Sequence, residues 1–152
     1  MKGNRNADLL ARALIAAMFT LAALSWRSAP AQIPIHWDIT GQINGYGSKF
    51  TGLLLMPFVA LAGYAVIGLA PTFKPEQFGG RTRSALSWFR LAYVLVMAGV
   101  FGVIVADARG SNVNMNYVLF PLIALNLIAV ANLLLRSAQA RAGTSPRGGI
   151  QI

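Results

Sequence analysis

Four long apolar runs, separated by short basic or glycine-rich segments, dominate the pattern along the chain. They are Leu9–Trp26, broken only by Arg12; Phe50–Ala70, without a charge; Trp88–Ala106; and Tyr117–Leu135. At 1.5 Å of rise per residue the first would span roughly 27 Å, enough for a bilayer core when the ends snorkel. The expectation is an all-α integral membrane protein with four transmembrane helices, about 9–26, 50–70, 88–106 and 117–135, in one domain covering 1–136. The basic N-terminus and Ser28-Ala29-Pro30-Ala31 resemble a cleaved signal peptide, but the apolar stretch exceeds a usual signal core, so the helix is read as retained.

Helix boundaries follow from the residues that break the runs. Pro71 and Pro75 should stop the second helix, and Pro57 is a candidate kink within it. Asp107 closes the third run and Arg136 the fourth, while Arg90 lies near enough to an edge to snorkel. Asp8 and Arg12, four apart in the favourable order, should pair near the headgroups. The Ala-, Gly-, Ser- and Arg-rich tail, 137–152, reads as disordered.

Between the first two helices the period changes. Ile33, Ile35, Trp37 and Ile39 alternate with Pro34, His36, Asp38 and Thr40, the mark of a strand with one apolar face. That face would rest on the membrane interface or on the helix ends, where Trp is favoured. Gly41, Gly45 and Gly47 follow, with Asn44-Gly45 as a turn dipeptide. Ser48 is placed to cap the second helix. The segment 27–49 is therefore expected to be a structured loop, a compact hairpin (a short β-hairpin is one form) or a turn lid.

Composition agrees with lipid as the solvent. The 152 residues are 56% hydrophobic and 11% charged, against about 25% charged in soluble domains. No second domain or internal repeat is evident. With no cysteine, disulfides and thiolate chemistry are excluded. A net charge of +9 first suggests nucleic acid, but the basic residues sit in short segments between apolar runs, which is the pattern of membrane-protein loops. With both termini inside, one side holds Lys2, Arg5, Arg12, Lys74, Arg81, Arg83, Arg90, Arg136, Arg141 and Arg147. The other holds only Arg27, Lys49 and Arg109. This asymmetry implies cytoplasmic termini and an extracytoplasmic loop 27–49.

Helix association in lipid needs close packing and interhelical hydrogen bonds. Small-residue seams are expected at Ala13, Ala16, Ala17, Thr20 and Ala23; at Gly52, Gly63 and Ala70; and at Ala92, Gly99, Gly102 and Ala106. Asn126 and Asn132 do not share a face, and one of them is a candidate for a hydrogen bond across helices. No carboxylate lies near a helix centre, which argues against a proton-coupled transporter.

His36 and Asp38 fall on the same polar side of the strand. They could be a metal pair, a pH-sensitive pair or a partner contact, or they could hydrogen-bond the loop to itself. A metal needs three or four ligands, and His36 is the one histidine. Asp38, Asp107 and backbone oxygens would have to complete the set, so both residues are weak metal candidates. No nucleophile–base arrangement appears, and Gly45-Tyr46-Gly47-Ser48-Lys49 lacks the phosphate-loop spacing. Neither enzymatic activity nor a cofactor is expected.

Ile33-Pro34-Ile35-His36-Trp37-Asp38, Gly41-Gln42 and Asn44-Gly45-Tyr46-Gly47-Ser48-Lys49 together resemble the domain of unknown function 1648. That domain is the N-terminal part of SdpI-type membrane proteins, bacterial immunity factors against a secreted toxic peptide. The family pattern IP-x-HW-x-x-x-G-x-x-x-GYGSK is matched at every position. Weaker similarity continues at Asn116-Tyr117 to Pro121 and at Ala131-Asn132 before Leu135-Arg136. The "GIRTPWT"-type motif of longer members does not follow, so the chain is identified as a short member. The resemblance implies a multi-pass protein of the bacterial inner membrane that recognises a peptide or envelope partner. The implied contacts are Pro34, His36, Trp37, Asp38, Gly41, Gln42, Gly45, Tyr46, Gly47, Ser48 and Lys49. An accessory subunit of a larger membrane complex and a metal-dependent membrane enzyme are the competing readings. The expected partners are the bilayer and another membrane protein or a peptide, and an oligomer is left open.

Overall fold

A computed structural model of the chain describes residues 3–73, 75 and 78–143. In order, the elements are α1 (Arg5–Ser25), β1 (Gln32–Trp37), β2 (Ile43–Ser48), α2 (Lys49–Phe73), α3 (Gly80–Ala108) and α4 (Met115–Gly143). All four helices are long and apolar enough to cross a membrane. α3 is the hub: 44% of its most apolar window is buried, against 6% for α4. α1 and α2 pack on the same hub and on each other, whereas α4 packs chiefly on α3.

Every helix is longer than its apolar run, for reasons that lie partly in local capping and partly in tertiary packing. Asn4 caps α1, its side chain accepting from the amides of Asn6 and Ala7. α3 starts eight residues before Trp88, because Thr82, Ala85, Leu86 and Ser87 are buried. Thr82 Oγ1 donates to the Arg136 carbonyl at 3.4 Å, which ties α3 to the far end of α4. Pro71 does not stop α2, which continues to Phe73; so close to the end, its missing N–H costs only one bond. α4 carries on through 137–143, part of the stretch expected to be disordered. The rest of that stretch, 144–152, lies outside the described residues, as do Lys2 and Lys74.

The expected Asp8–Arg12 ion pair does not form. Arg12 Nε donates to the Asp8 backbone carbonyl at 3.1 Å, and the Asp8 carboxylate is taken by Arg90 of α3, also at 3.1 Å. Ser87 Oγ donates to the second Asp8 oxygen at 3.0 Å. The Arg90 guanidinium lies 3.6 Å from the centre of the Tyr64 ring, bringing in α2. Arg90 therefore binds inward instead of snorkelling. An ion pair between helices leaves each charge less to gain from reaching water.

The small-residue seams are only partly where the sequence put them. α1 buries Ala7, Ala11, Ile15, Met18 and Ala22, while Ala13, Ala16, Ala17, Thr20 and Ala23 are exposed. Both stripes have helical spacing, and only the position of α3 chooses between them. Gly52 lies against Ile33, Gly63 against Tyr93 and Gly99 against Leu122 of α4, but Gly102 faces open space. The Gly63 contact lets Tyr93 donate to the Val59 carbonyl at 2.8 Å. Neither Asn126 nor Asn132 makes a side-chain hydrogen bond among the described residues.

Candidate functional site

The hairpin closes one end of the bundle. β1 and β2 are antiparallel, with Gln32 opposite Ser48, Pro34 opposite Tyr46, His36 opposite Gly45 and Trp37 opposite Ile43. Two offsetting irregularities leave Ile35 and Asn44 without an opposite residue. Asn44-Gly45 is thus inside β2, and the reversal falls at 38–42. Asp38 determines the difference: its Oδ1 accepts from Thr40 N at 2.8 Å, Thr40 Oγ1 at 2.6 Å and Gln42 N at 3.1 Å. Its carbonyl accepts from Gly41 N and its amide donates to the Gln42 carbonyl. These bonds favour the anion and hold the Asp38 carboxyl below its usual value, the Thr40 hydroxyl contributing most. Gly41 completes the reversal at φ +81°, a conformation that strains any residue with a Cβ.

A second segment, 109–116, clasps the turn. Three successive carbonyls accept from it: Ile39 from Asn116 Nδ2 at 2.9 Å, Thr40 from Asn114 Nδ2 at 3.0 Å, and Gly41 from Met115 N at 3.3 Å. Asn114 also caps α4, its Oδ1 accepting from Asn116 N. Beneath the turn, buried Asp107 receives Trp37 Nε1 at 3.2 Å and Val113 N at 2.6 Å. Arg109 Nη2 reaches Ser25 Oγ at 3.1 Å, and Lys49 Nζ reaches the Trp26 carbonyl at 3.1 Å. All four helices are therefore joined at this end through polar groups that have partners.

The motif residues divide into two sets on this geometry. Pro34 is buried, Gly45 and Gly47 lie against His36 and Ile35, and Ser48 caps α2 by accepting from Thr51 N. Together with Trp37, Asp38, Gly41 and Lys49, these residues build the cap. His36, Gln42 and Tyr46 are exposed, as is the capping Ser48, and His36 Nδ1 pairs with Asn44 Oδ1. Ile39, assigned to the apolar face, is instead 92% exposed at the tip, because the turn begins before it. Beside it a polar cavity of about 220 Å³ is lined by Gly41, Gln42, Ile43, Tyr46, Asn112 and Val113.

Residues 13–61 match the family model of DUF1648, a domain of unknown function. The matched segment runs from within α1 through both strands into α2 and contains the whole hairpin motif. No curated protein and no solved structure matches the chain. The segment that clasps the hairpin turn, 109–116, lies outside the match. Its signal in the sequence is the alternation Asn112, Asn114, Asn116, three amides in a short loop.

Chemically, the cap is a rigid surface with a small polar recess. His36 and Asp38 do not converge on a common point: one bonds Asn44 and the other its own turn. Among the described residues, no group of three His, Cys, Asp or Glu side chains could hold a metal ion.

Proposed function

We propose that the chain is inserted in a bacterial inner membrane with both termini cytoplasmic, and that its cap recognises a peptide or envelope partner, in immunity or sensing. The observation that carries this reading is the division of the hairpin motif, with one set of residues fixing the cap and His36, Gln42, Tyr46 and Ile39 left on its surface. A preorganised surface loses little entropy on binding, and an exposed Tyr beside apolar Ile39 is the type of residue that anchors interfaces. Charge supports the orientation: among the described residues, Arg5, Arg12, Arg81, Arg83, Arg90 and Arg136 lie toward the end opposite the hairpin.

The test is a photo-crosslinking residue placed at Tyr46 in native membranes, with one at Leu134 as the control. A discrete adduct at Tyr46 that disappears with His36→Ala or Gln42→Ala is expected. The same adducts at both positions, unaffected by those substitutions, would reduce the cap to a plain loop. A second reading, as an accessory subunit of a larger membrane complex, is favoured by the exposed small-residue stripe of α1, Ala13 to Ala23. Cross-linking from Ala16 to a distinct integral membrane protein is its expected outcome.

A further inference from the structure

At the end opposite the cap, α3 and α4 enclose a continuous groove that is polar at its mouth and apolar within. The mouth is a cavity of about 290 Å³ lined by Arg81, Ser84, Ala85, Trp88, Asn132 and Arg136. It leads into an apolar cavity of about 280 Å³ that shares Trp88 and Asn132 and runs on between Leu95 and Leu125. Arg81, Ser84, Trp88 and Leu91 follow one face of α3; Arg136, Asn132, Ala129 and Leu125 follow one face of α4. Ala85 and Ala92, both buried, floor the groove. Trp88 and Ile128, both exposed, form its rims.

We infer that this groove holds one anionic phospholipid, its phosphate between Arg81 and Arg136 and one acyl chain between Trp88 and Leu125. Four observations identify the occupant. Neither the Arg81 nor the Arg136 guanidinium has a partner among the described residues. The three described carboxylates are engaged elsewhere, Asp8 on Arg90 and Asp38 and Asp107 in the cap. The start of α3 adds positive potential, because Gly79 leaves its first amides without a side-chain cap. The fourth observation is the gradient itself: Leu95 lies fourteen residues beyond Arg81, roughly 20 Å along the helix, so apolar lining continues to chain depth. A free phosphate would use only the mouth, and a partner helix would not need two open guanidinium groups above an alanine floor. Asn132, at the junction with no side-chain hydrogen bond among the described residues, is placed to donate to a glycerol ester.

This inference shares with the cap reading only the requirement for a bilayer, and its readout is at the other end of the molecule. The full chain is reconstituted in vesicles of phosphatidylcholine and phosphatidylglycerol, with bromine on the acyl chains of one lipid or the other. The contribution of Trp88 to fluorescence is isolated as the difference from Trp88→Phe. Brominated phosphatidylglycerol should quench Trp88 about threefold or more over brominated phosphatidylcholine at equal mole fraction, as expected for charge attraction near a membrane surface. Arg81→Gln with Arg136→Gln should remove the preference, and Arg81→Lys with Arg136→Lys should retain it. Arg5→Gln with Arg12→Gln, which removes the same charge from the same end, should leave it intact. Equal quenching by both lipids would overturn the site, and so would equal loss in the two Gln pairs, which would mean diffuse attraction. Abolition of the preference by inorganic phosphate at constant ionic strength would overturn it as well, in favour of a free anion.

Discussion

Gly41 shows how one residue can be fixed by its surroundings on two counts. Its φ is +81°, and a Cβ there would overlap the Asn114 amide that caps α4 and holds the turn. Gly41→Ala should cost about 1–2 kcal/mol in backbone strain, with the Asn114 overlap adding to it, read as a lower unfolding temperature in detergent. Asp38 gives a pH signature in the same turn. Its folded carboxyl titrates below the ordinary 3.8, so its contribution is complete above that value and lost as pH falls through the lower, folded one. The protection of the Thr40 and Gln42 amides, measured as exchange relative to the intrinsic rate at the same pH, should fall on acidification below the usual carboxylate range. Asp38→Asn should abolish that dependence; an unchanged profile in the variant would assign it to another group. The glycines and the Asp were legible in the sequence as turn formers, but which of them makes the turn was not. Asn44-Gly45 has the stronger local preference. It loses because Asp38 has three donors within reach and Gly41 has its clasp.

Between elements, the Asp8–Arg90 pair is the clearest case of tertiary structure overriding a local rule. The i,i+4 spacing of Asp8 and Arg12 is worth about 0.2–0.5 kcal/mol in an isolated helix. A partly buried pair that also engages Ser87 and Tyr64 is worth more, since losing one partner strands the other charge. Arg90→Gln alone and Asp8→Asn alone should each destabilise the bundle by about 2–3 kcal/mol, less than a fully buried pair, because both side chains keep some water contact. The double variant should cost clearly less than their sum, measured as a double-mutant cycle in detergent or bicelles. Additivity would show that the two charges do not feel each other. The small-residue stripes carry the same lesson: α1 offers two alanine faces, and helical periodicity cannot say which one α3 will cover.

For the molecule as a whole, the proposed topology can be read cleanly because the chain has no cysteine. One cysteine at Tyr46 and another at Ser137, introduced separately, should label from opposite faces of sealed inverted vesicles with an impermeant maleimide. Labelling of both from the same face would refute the arrangement of ends. The charge count agrees with this expectation, but the folding of α3 back to Gly80 and of α4 on to Gly143 gives Arg81 and Arg136 a second role as the mouth of a groove. A count of basic residues sees only their number.

Apolar length, charge asymmetry and the hairpin motif were set by the sequence acting locally, since each depends on side-chain chemistry along a short stretch of backbone. They determined four long apolar helices, a structured loop between the first two and its likeness to DUF1648. Partners were decided only by the tertiary structure. Asp107 beneath Trp37, Asn114 on Gly41 and Arg90 on Asp8 are contacts between residues distant in the chain, and Arg81 and Arg136 line one cavity from two helices. Which distant groups meet depends on how all four helices pack at once, and no window of sequence contains that information.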